Sequence, residues 1–130
     1  MKLMTKAQRE IMLRNGIRSQ DDPDYDPKPV IKLFTPDGAA TWLLTELDPD
    51  DNDIAFGLCD LGMGFPELGS VRISELEQVR GRLGLPVERD RYFTADYPLS
   101  VYAKAALTQE TITENPQLLT QAAAATEASL

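Results

Sequence analysis

The sequence predicts an α+β fold, in which an antiparallel β-meander of about four strands is flanked by short helices. Residues 30–73 alternate β-rich segments with short turns containing Gly, Pro and Asp. Connections this short favour antiparallel neighbours, because a parallel neighbour needs a crossover of about a dozen residues. Spacings typical of helix caps occur before and after this region. The chain has 130 residues, which is the size of one ordinary domain.

A helix is predicted first, within an N-terminal segment of residues 1–18. Thr5 and Gln8 have the spacing of a capping box, in which each side chain satisfies a free backbone N–H. Asn15-Gly16 is typical of a left-handed helix end, so the helix is predicted over residues 6–15. Residues 19–29 hold four Asp and three Pro and are predicted to be an acidic, Pro-rich linker.

The central segment, residues 30–107, is predicted to be a single α+β domain. Its β-rich runs place four strands at residues 30–35, 39–47, 54–61 and 68–73.

Helices are predicted to complete the chain. Ser74 and Glu77 repeat the capping-box spacing, so a short helix is predicted to follow them and to end by Gly81. An extended Tyr92-Phe93 and a helix over residues 98–107 come next. The remaining residues, 108–130, are predicted to be a flexible or helical tail, because their Ala-rich sequence has helix propensity but little apolar stripe to dock.

The composition excludes several classes of enzyme. Cys59 is the only cysteine and the chain has no histidine. Internal disulfides, His-ligated zinc, and Ser-His-Asp or Cys-His catalysis are therefore excluded within one chain. The lone Cys59 lies in an apolar run, which predicts a buried thiol with a raised pKa. These features favour a binding or accessory protein over an enzyme, in a reducing, cytoplasmic compartment.

The net charge of −8 is unevenly distributed. Residues 1–18 carry five basic side chains and one acidic, whereas residues 19–70 carry twelve acidic and two basic. A middle this acidic would repel a phosphate backbone, so direct nucleic-acid binding is not expected. No apolar run is long enough to span a membrane. With nucleic acid and membrane both disfavoured, the expected partner is another protein.

Four motifs resemble an uncharacterised bacterial family, a domain of unknown function common on plasmids and mobile elements. They are Pro36-x-Gly38-Ala39-Ala40-Thr41-Trp42, Phe56-Gly57-Leu58-Cys59-Asp60-Leu61-Gly62, Pro66-Glu67-Leu68-Gly69 and Leu85-Pro86-Val87-Glu88-Arg89-Asp90. The resemblance covers residues 30–103. It implies a role in plasmid establishment, conjugation or evasion of host defence, and it brings no reaction, cofactor or catalytic residue.

Carboxylates near the predicted strand ends form one candidate site. Glu46, Asp60 and Glu67 could converge on Mg²⁺ or Ca²⁺, which are oxygen-binding cations. The alternative is that each caps a turn or lies in solvent. A divalent metal is therefore the one cofactor considered, in a metal-assisted hydrolase-like enzyme.

The glycine-rich turn forms a second candidate site. A binding surface is predicted around Trp42, Asp60, Gly62, Gly64, Phe65 and Glu67. The alternatives are that the glycines only shape a strand-to-strand turn and that Trp42 packs across the sheet against Phe56. A small-ligand pocket lined by Trp42, Phe56, Met63 and Phe65 is a further possibility.

Charged stretches provide the remaining candidates. The Asp-rich residues 21–26 and 48–53 could act as an acidic nucleic-acid mimic that blocks a DNA-binding host defence protein, or could simply form turns. An arginine cluster could grip an anion, but pairing with Glu88, Asp90 and the acidic middle is preferred; its members are Arg80, Arg82, Arg89 and Arg91. The leading hypothesis is an accessory protein that binds a macromolecular partner through its acidic face or the glycine-rich turn.

Overall fold

A computed structural model describes residues 2–128 and confirms the α+β fold. Its elements, in chain order, are α1 (Lys6–Asp21), β1 (Ile31–Phe34), β2 (Thr41–Asp48), β3 (Asp51–Asp60), β4 (Glu67–Arg72), α2 (Ile73–Gln78), β5 (Glu88–Arg89), α3 (Leu99–Gln109) and α4 (Pro116–Ala128). Among these residues, no helix combines the length and apolarity that a membrane crossing requires.

The strands form one antiparallel sheet in the order β4-β3-β2-β1-β5. The four predicted strands are confirmed as a meander. The fifth strand, β5, has two residues and pairs with the end of β1, with Leu33 opposite Arg89. A pairing this short depends on the folded sheet, which is why the local sequence does not indicate it.

Helices cover both faces of the sheet, because side chains along each strand alternate between the two faces. On one face, Trp42 and Leu44 of β2 pack with Met12 of α1 and with α2. On the other face, Leu43 and Leu58 pack with α3 and α4. The predicted contact between Trp42 and Phe56 is wrong, because Trp42 belongs to the first core and Phe56 borders the second.

Helix α1 continues beyond its predicted end. The capping box of Thr5 and Gln8 is present, but Gly16 lies inside the helix rather than at its end. A Cβ at Gly16 would overlap the backbone carbonyl of Leu47, so this glycine allows α1 to approach β2 closely. Gly16 is therefore explained by packing against the sheet, although the local sequence suggested that it ends the helix.

The acidic segment after α1 lies against the domain. The Tyr25 hydroxyl donates to Asn15 Oδ1 at 2.7 Å, and the Leu99 N–H donates to the Pro27 carbonyl at 3.0 Å. The backbone N–H and hydroxyl of Ser100 both donate to the Asp26 carboxylate. These contacts join the segment to α1 on one side and to α3 on the other.

Helix α2 differs from expectation at its start, and the tail, predicted to be flexible or helical, is helical and docked. Helix α2 has no side-chain cap, because Ser74 lies inside it and donates its hydroxyl to Asp53 at 2.6 Å. The tail contains α4, and Leu119 and Ala122 on it are buried against α3. The apolar face of α4 is narrow, but its small Ala side chains allow the helix to pack closely against α3.

Candidate functional site

Three loops meet at one end of the sheet. The β1–β2 turn (residues 35–40) and the β3–β4 loop (residues 61–66) lie at the same end because consecutive hairpins alternate ends. The connection from α2 to β5 (residues 79–87) reaches the same end, since Glu88 pairs with Phe34 at the end of β1. We call this region the loop end.

The β3–β4 loop is held at its base by Asp60. This carboxylate is only 2% exposed and accepts hydrogen bonds from the N–H of Gly62 at 2.8 Å and of Ile112 at 2.9 Å. The Thr111 hydroxyl donates to it at 3.1 Å. Asp60 therefore ties the loop to the connection between α3 and α4.

The glycines of this loop have the conformations that a sharp turn requires. Gly62 and Gly64 have φ of 80° and 86°, a region that residues with a side chain rarely adopt. Ala39 leaves no room for a Cβ at Gly62, so the loop lies directly against the β1–β2 turn. At Gly64 the surroundings are open.

Asp37 holds the α2–β5 connection on the other side of the same turn. Its Oδ2 accepts hydrogen bonds from the N–H groups of Leu83 at 2.6 Å and Leu85 at 3.3 Å. Its Oδ1 is buried and has no hydrogen-bond partner. A Cβ at Gly81 would overlap this carboxylate, so the connection wraps closely around Asp37.

These two fixed loops expose large apolar side chains to solvent. In the β3–β4 loop, Leu61, Met63 and Phe65 are exposed, with Phe65 at 78%. In the α2–β5 connection, Leu83 is 80% exposed and Leu85 is also exposed. We call the surface formed by Leu61, Met63, Phe65, Leu83 and Leu85 the loop surface.

The predicted binding residues take different positions. Phe65, Gly62 and Gly64 lie at the loop end, and Glu67 follows at the exposed start of β4. Trp42, at 3% exposed, is a core residue. Met63 and Phe65 are exposed while Trp42 is buried, so the structure does not assemble the small-ligand pocket proposed from these residues and Phe56.

The predicted metal ligands do not come together. Glu46 pairs with Phe56, four residues before Asp60 on β3, which separates them by roughly 13 Å along the strand. Glu67 pairs with Cys59 and so points to the face opposite Asp60. Among the side chains of residues 2–126, no group of three acidic or thiol groups could hold a metal ion.

The Asp-rich stretches partly stabilise turns. Asp22, Asp48 and Asp51 each accept from the backbone N–H two residues later. Asp53 receives the N–H and hydroxyl of Ser74, and Arg72 pairs with Asp51 and Asp53. The turn-forming alternative therefore describes three of these eight carboxylates.

The predicted ion pairs of the arginine cluster are absent from the described part of the chain. Asp90 pairs with Lys32 instead, at 3.6 Å. Arg80 donates to the carbonyls of Glu77 and Val79, and Arg89 to that of Lys2. For Arg80 and Arg89, backbone carbonyls thus replace the expected carboxylates.

The predicted rise in the thiol pKa is confirmed, although Cys59 is only partly buried. Burial raises the pKa of Cys59 to about 11. At neutral pH this thiol is protonated and is a poor nucleophile.

Sequence reasoning named Met63 and Phe65 as candidates but missed the other three residues of the loop surface, Leu61, Leu83 and Leu85. Leu83 and Leu85 lie about 20 residues after Phe65 and reach the same end through the pairing of β5 with β1 and the Asp37 hydrogen bonds. The available signal was the alternation of glycine with large apolar residues in Leu61-Gly62-Met63-Gly64-Phe65 and Leu83-Gly84-Leu85. Such alternation places apolar side chains on turns, where burial within the domain is difficult.

Comparisons with known proteins identify the family of the chain. No curated protein and no solved structure matches the chain significantly. A family model described as "Protein of unknown function (DUF2958)" matches residues 3–113. The match includes α1 and the acidic segment, which the sequence resemblance had left outside, and it ends before α4. The chain therefore belongs to the DUF2958 family.

Proposed function

We propose that this protein is a non-catalytic interaction protein that docks onto a protein partner through the loop surface. The observation that supports the proposal is the exposure of five large apolar side chains on two loops that flank one turn. Clusters of exposed apolar side chains are characteristic of interaction sites, whereas single exposed ones are ordinary.

The composition of the loop surface suits the centre of a protein interface. Residues 61–66 and 83–87 contain no charged side chain. Charged groups stand at the edges, at Glu67, Arg82 and Glu88. Interfaces combine an apolar centre, enriched in aromatic residues and Met, with a polar rim. Phe65 and Met63 are therefore the residues we expect to contribute most.

The loops are held in place before a partner arrives. Asp60 fixes the β3–β4 loop, and Asp37 fixes the α2–β5 connection. Ordering a flexible loop on binding costs free energy, so prior fixation favours affinity. This explains why both loops are tied by carboxylates to neighbouring backbone.

The partner we expect is a protein of a mobile element or of its host, because the sequence resemblance implies that setting. Binding rather than catalysis is favoured by the absence of histidine from the chain. The high pKa of Cys59 also argues against a thiol nucleophile.

Site-specific photo-crosslinking in cells tests the proposal. A photoreactive amino acid replaces Phe65 in one variant and Leu83 in another. Both positions should crosslink to the same protein, because they lie on one surface. Ile17 of α1, which is 54% exposed and outside the loop surface, is the matched control.

The adducts decide between the outcomes. Identical adducts from positions 65 and 83, absent from position 17, support a protein-binding loop surface. No adduct at positions 65 and 83, or the same adducts from all three positions, would contradict it.

A further inference from the structure

A cavity of about 310 Å³ lies where the last turns of α1 meet the sheet, near the β2–β3 hairpin. Ligand sites range from about 300 to 1,000 Å³, so it suits a small chemical group. Its lining includes Ser19, Glu46, Asp48, Pro49, Ile54 and Phe56. The cavity is separate from the loop surface, because the β2–β3 hairpin lies at the other end of the sheet.

A β-bulge in β2 lies directly before Glu46. Leu44 pairs with Gly57 and Glu46 pairs with Phe56, which leaves Thr45 as the extra residue. Bulges change the direction of the side chains next to them and occur often beside functional sites.

Helix α1 holds this bulge in place. The Asn15 amide donates to the Thr45 carbonyl at 2.9 Å, and the Thr45 hydroxyl donates to the Phe56 carbonyl at 3.2 Å. Tyr25 in turn donates to Asn15. The position of Glu46 is therefore supported by hydrogen bonds from two other parts of the chain.

The Glu46 carboxylate has no cationic partner among residues 2–128. The ion pairs within the described part of the chain are made by Lys32 and Arg72 with other carboxylates. Partial burial raises the pKa of Glu46, the side chains of Ser19 and Thr45 lower it, and the charge of Asp48 raises it. A partly dehydrated carboxylate without a counter-ion gains from an added cation.

We propose that this cavity binds an organic cation, an alkylammonium or guanidinium group, with Glu46 as its main acceptor and Asp48 as its second. The cavity lining includes no Lys or Arg. Pro49 and Ile54 provide apolar contacts for the methylene groups of such a ligand. These apolar walls favour an organic cation over a metal ion, which needs several oxygen ligands.

Calorimetric titration of the full chain at fixed ionic strength tests this site. The probes are spermidine, which represents a free polyamine, and a short peptide with one central lysine, which represents a protein side chain. Glu46→Gln should weaken binding of the effective probe at least tenfold. Ser70 also lines the cavity, and Ser70→Leu, which narrows it without changing charge, should also weaken binding.

Asp21→Asn is the matched control, because Asp21 is an exposed carboxylate near the end of α1 that does not line the cavity. It should change the affinity less than twofold. Binding of spermidine alone identifies a polyamine site, and tighter binding of the peptide identifies a site for a basic side chain. Binding of neither probe, no effect of Glu46→Gln, or an equal loss with Asp21→Asn would overturn the proposal.

Discussion

At the scale of single residues, the Glu46 carboxylate lowers the stability of the folded chain and is also the proposed acceptor for a bound cation. Burial raises its pKa above that of the unfolded chain. Its charged form is therefore less favourable in the folded state than in the unfolded state. An amide at this position would remove that cost but would also remove the main acceptor for a bound cation.

Glu46→Gln is expected to increase the free energy of unfolding at pH 7. The wild-type loses stability as pH rises through the raised pKa, because the buried carboxyl must ionise. Below the unfolded pKa both proteins carry a neutral side chain, so the difference should disappear near pH 3.5. Urea unfolding at the two pH values measures the difference in the free energy of unfolding between the variant and the wild type. A variant less stable than the wild type at pH 7 would contradict the expectation.

Cys59 should react slowly with thiol reagents while the chain is folded. Its pKa of about 11 compares with an ordinary value of 9.0, so the reactive thiolate is about a hundredfold rarer at pH 8. Iodoacetamide labelling followed by mass spectrometry gives the rate, with urea-unfolded protein as the reference. Equal rates in the two states would show that the thiol is not protected.

At the scale of elements, α1 and the α2–β5 connection show where local reasoning fails. Asn15-Gly16 has the chemistry of a helix end, yet Gly16 serves the contact with Leu47 of β2. Likewise β5 depends on pairing with β1, and its two residues have no strand signal of their own. The strands β1 to β4 were predictable because their turns and apolar runs are local features.

Gly16→Ala should destabilise the protein although alanine is the better helix former. Helix propensity favours alanine by about 1 kcal/mol, whereas overpacking against backbone costs about 1–3 kcal/mol. The steric term should dominate, because the obstacle is the Leu47 carbonyl and not a flexible side chain. Chemical denaturation measures the change, and a more stable variant would contradict the close packing.

Gly69→Ala provides the comparison, because nothing lies within 4 Å of a Cβ at this position. Its effect should stay within about 0.5 kcal/mol, as for most surface substitutions.

Asp37→Ala should release the α2–β5 connection. The Leu83 and Leu85 N–H groups lose their acceptor, so their hydrogen exchange should accelerate while that of the strands stays unchanged. Amide exchange followed by NMR measures both. Asp24→Ala, in which an exposed carboxylate is removed elsewhere, is the control, and unchanged exchange at Leu83 would show that Asp37 does not hold this loop.

At the scale of the whole molecule, the sheet separates two surfaces of different character. The loop end exposes apolar side chains, and the opposite end has the Glu46 cavity beside the Asp-rich hairpin. The sequence indicated Phe65 and the glycines of the β3–β4 loop, since both lie in one short segment. It could not indicate Leu83, because the pairing of β5 with β1 and the Asp37 hydrogen bonds, which place the second loop at this end, exist only in the folded chain.

The most direct measurement of the central claim is the affinity of the crosslinked partner for the Phe65→Ser, Leu83→Ser double variant. Loss of one such interface residue costs about 2 kcal/mol and loss of both costs about 4 kcal/mol, so the dissociation constant should rise roughly a thousandfold. Ile17→Ser, which removes an exposed apolar side chain from α1, should leave it unchanged. Equal affinities for the double variant and the wild-type protein would contradict the account.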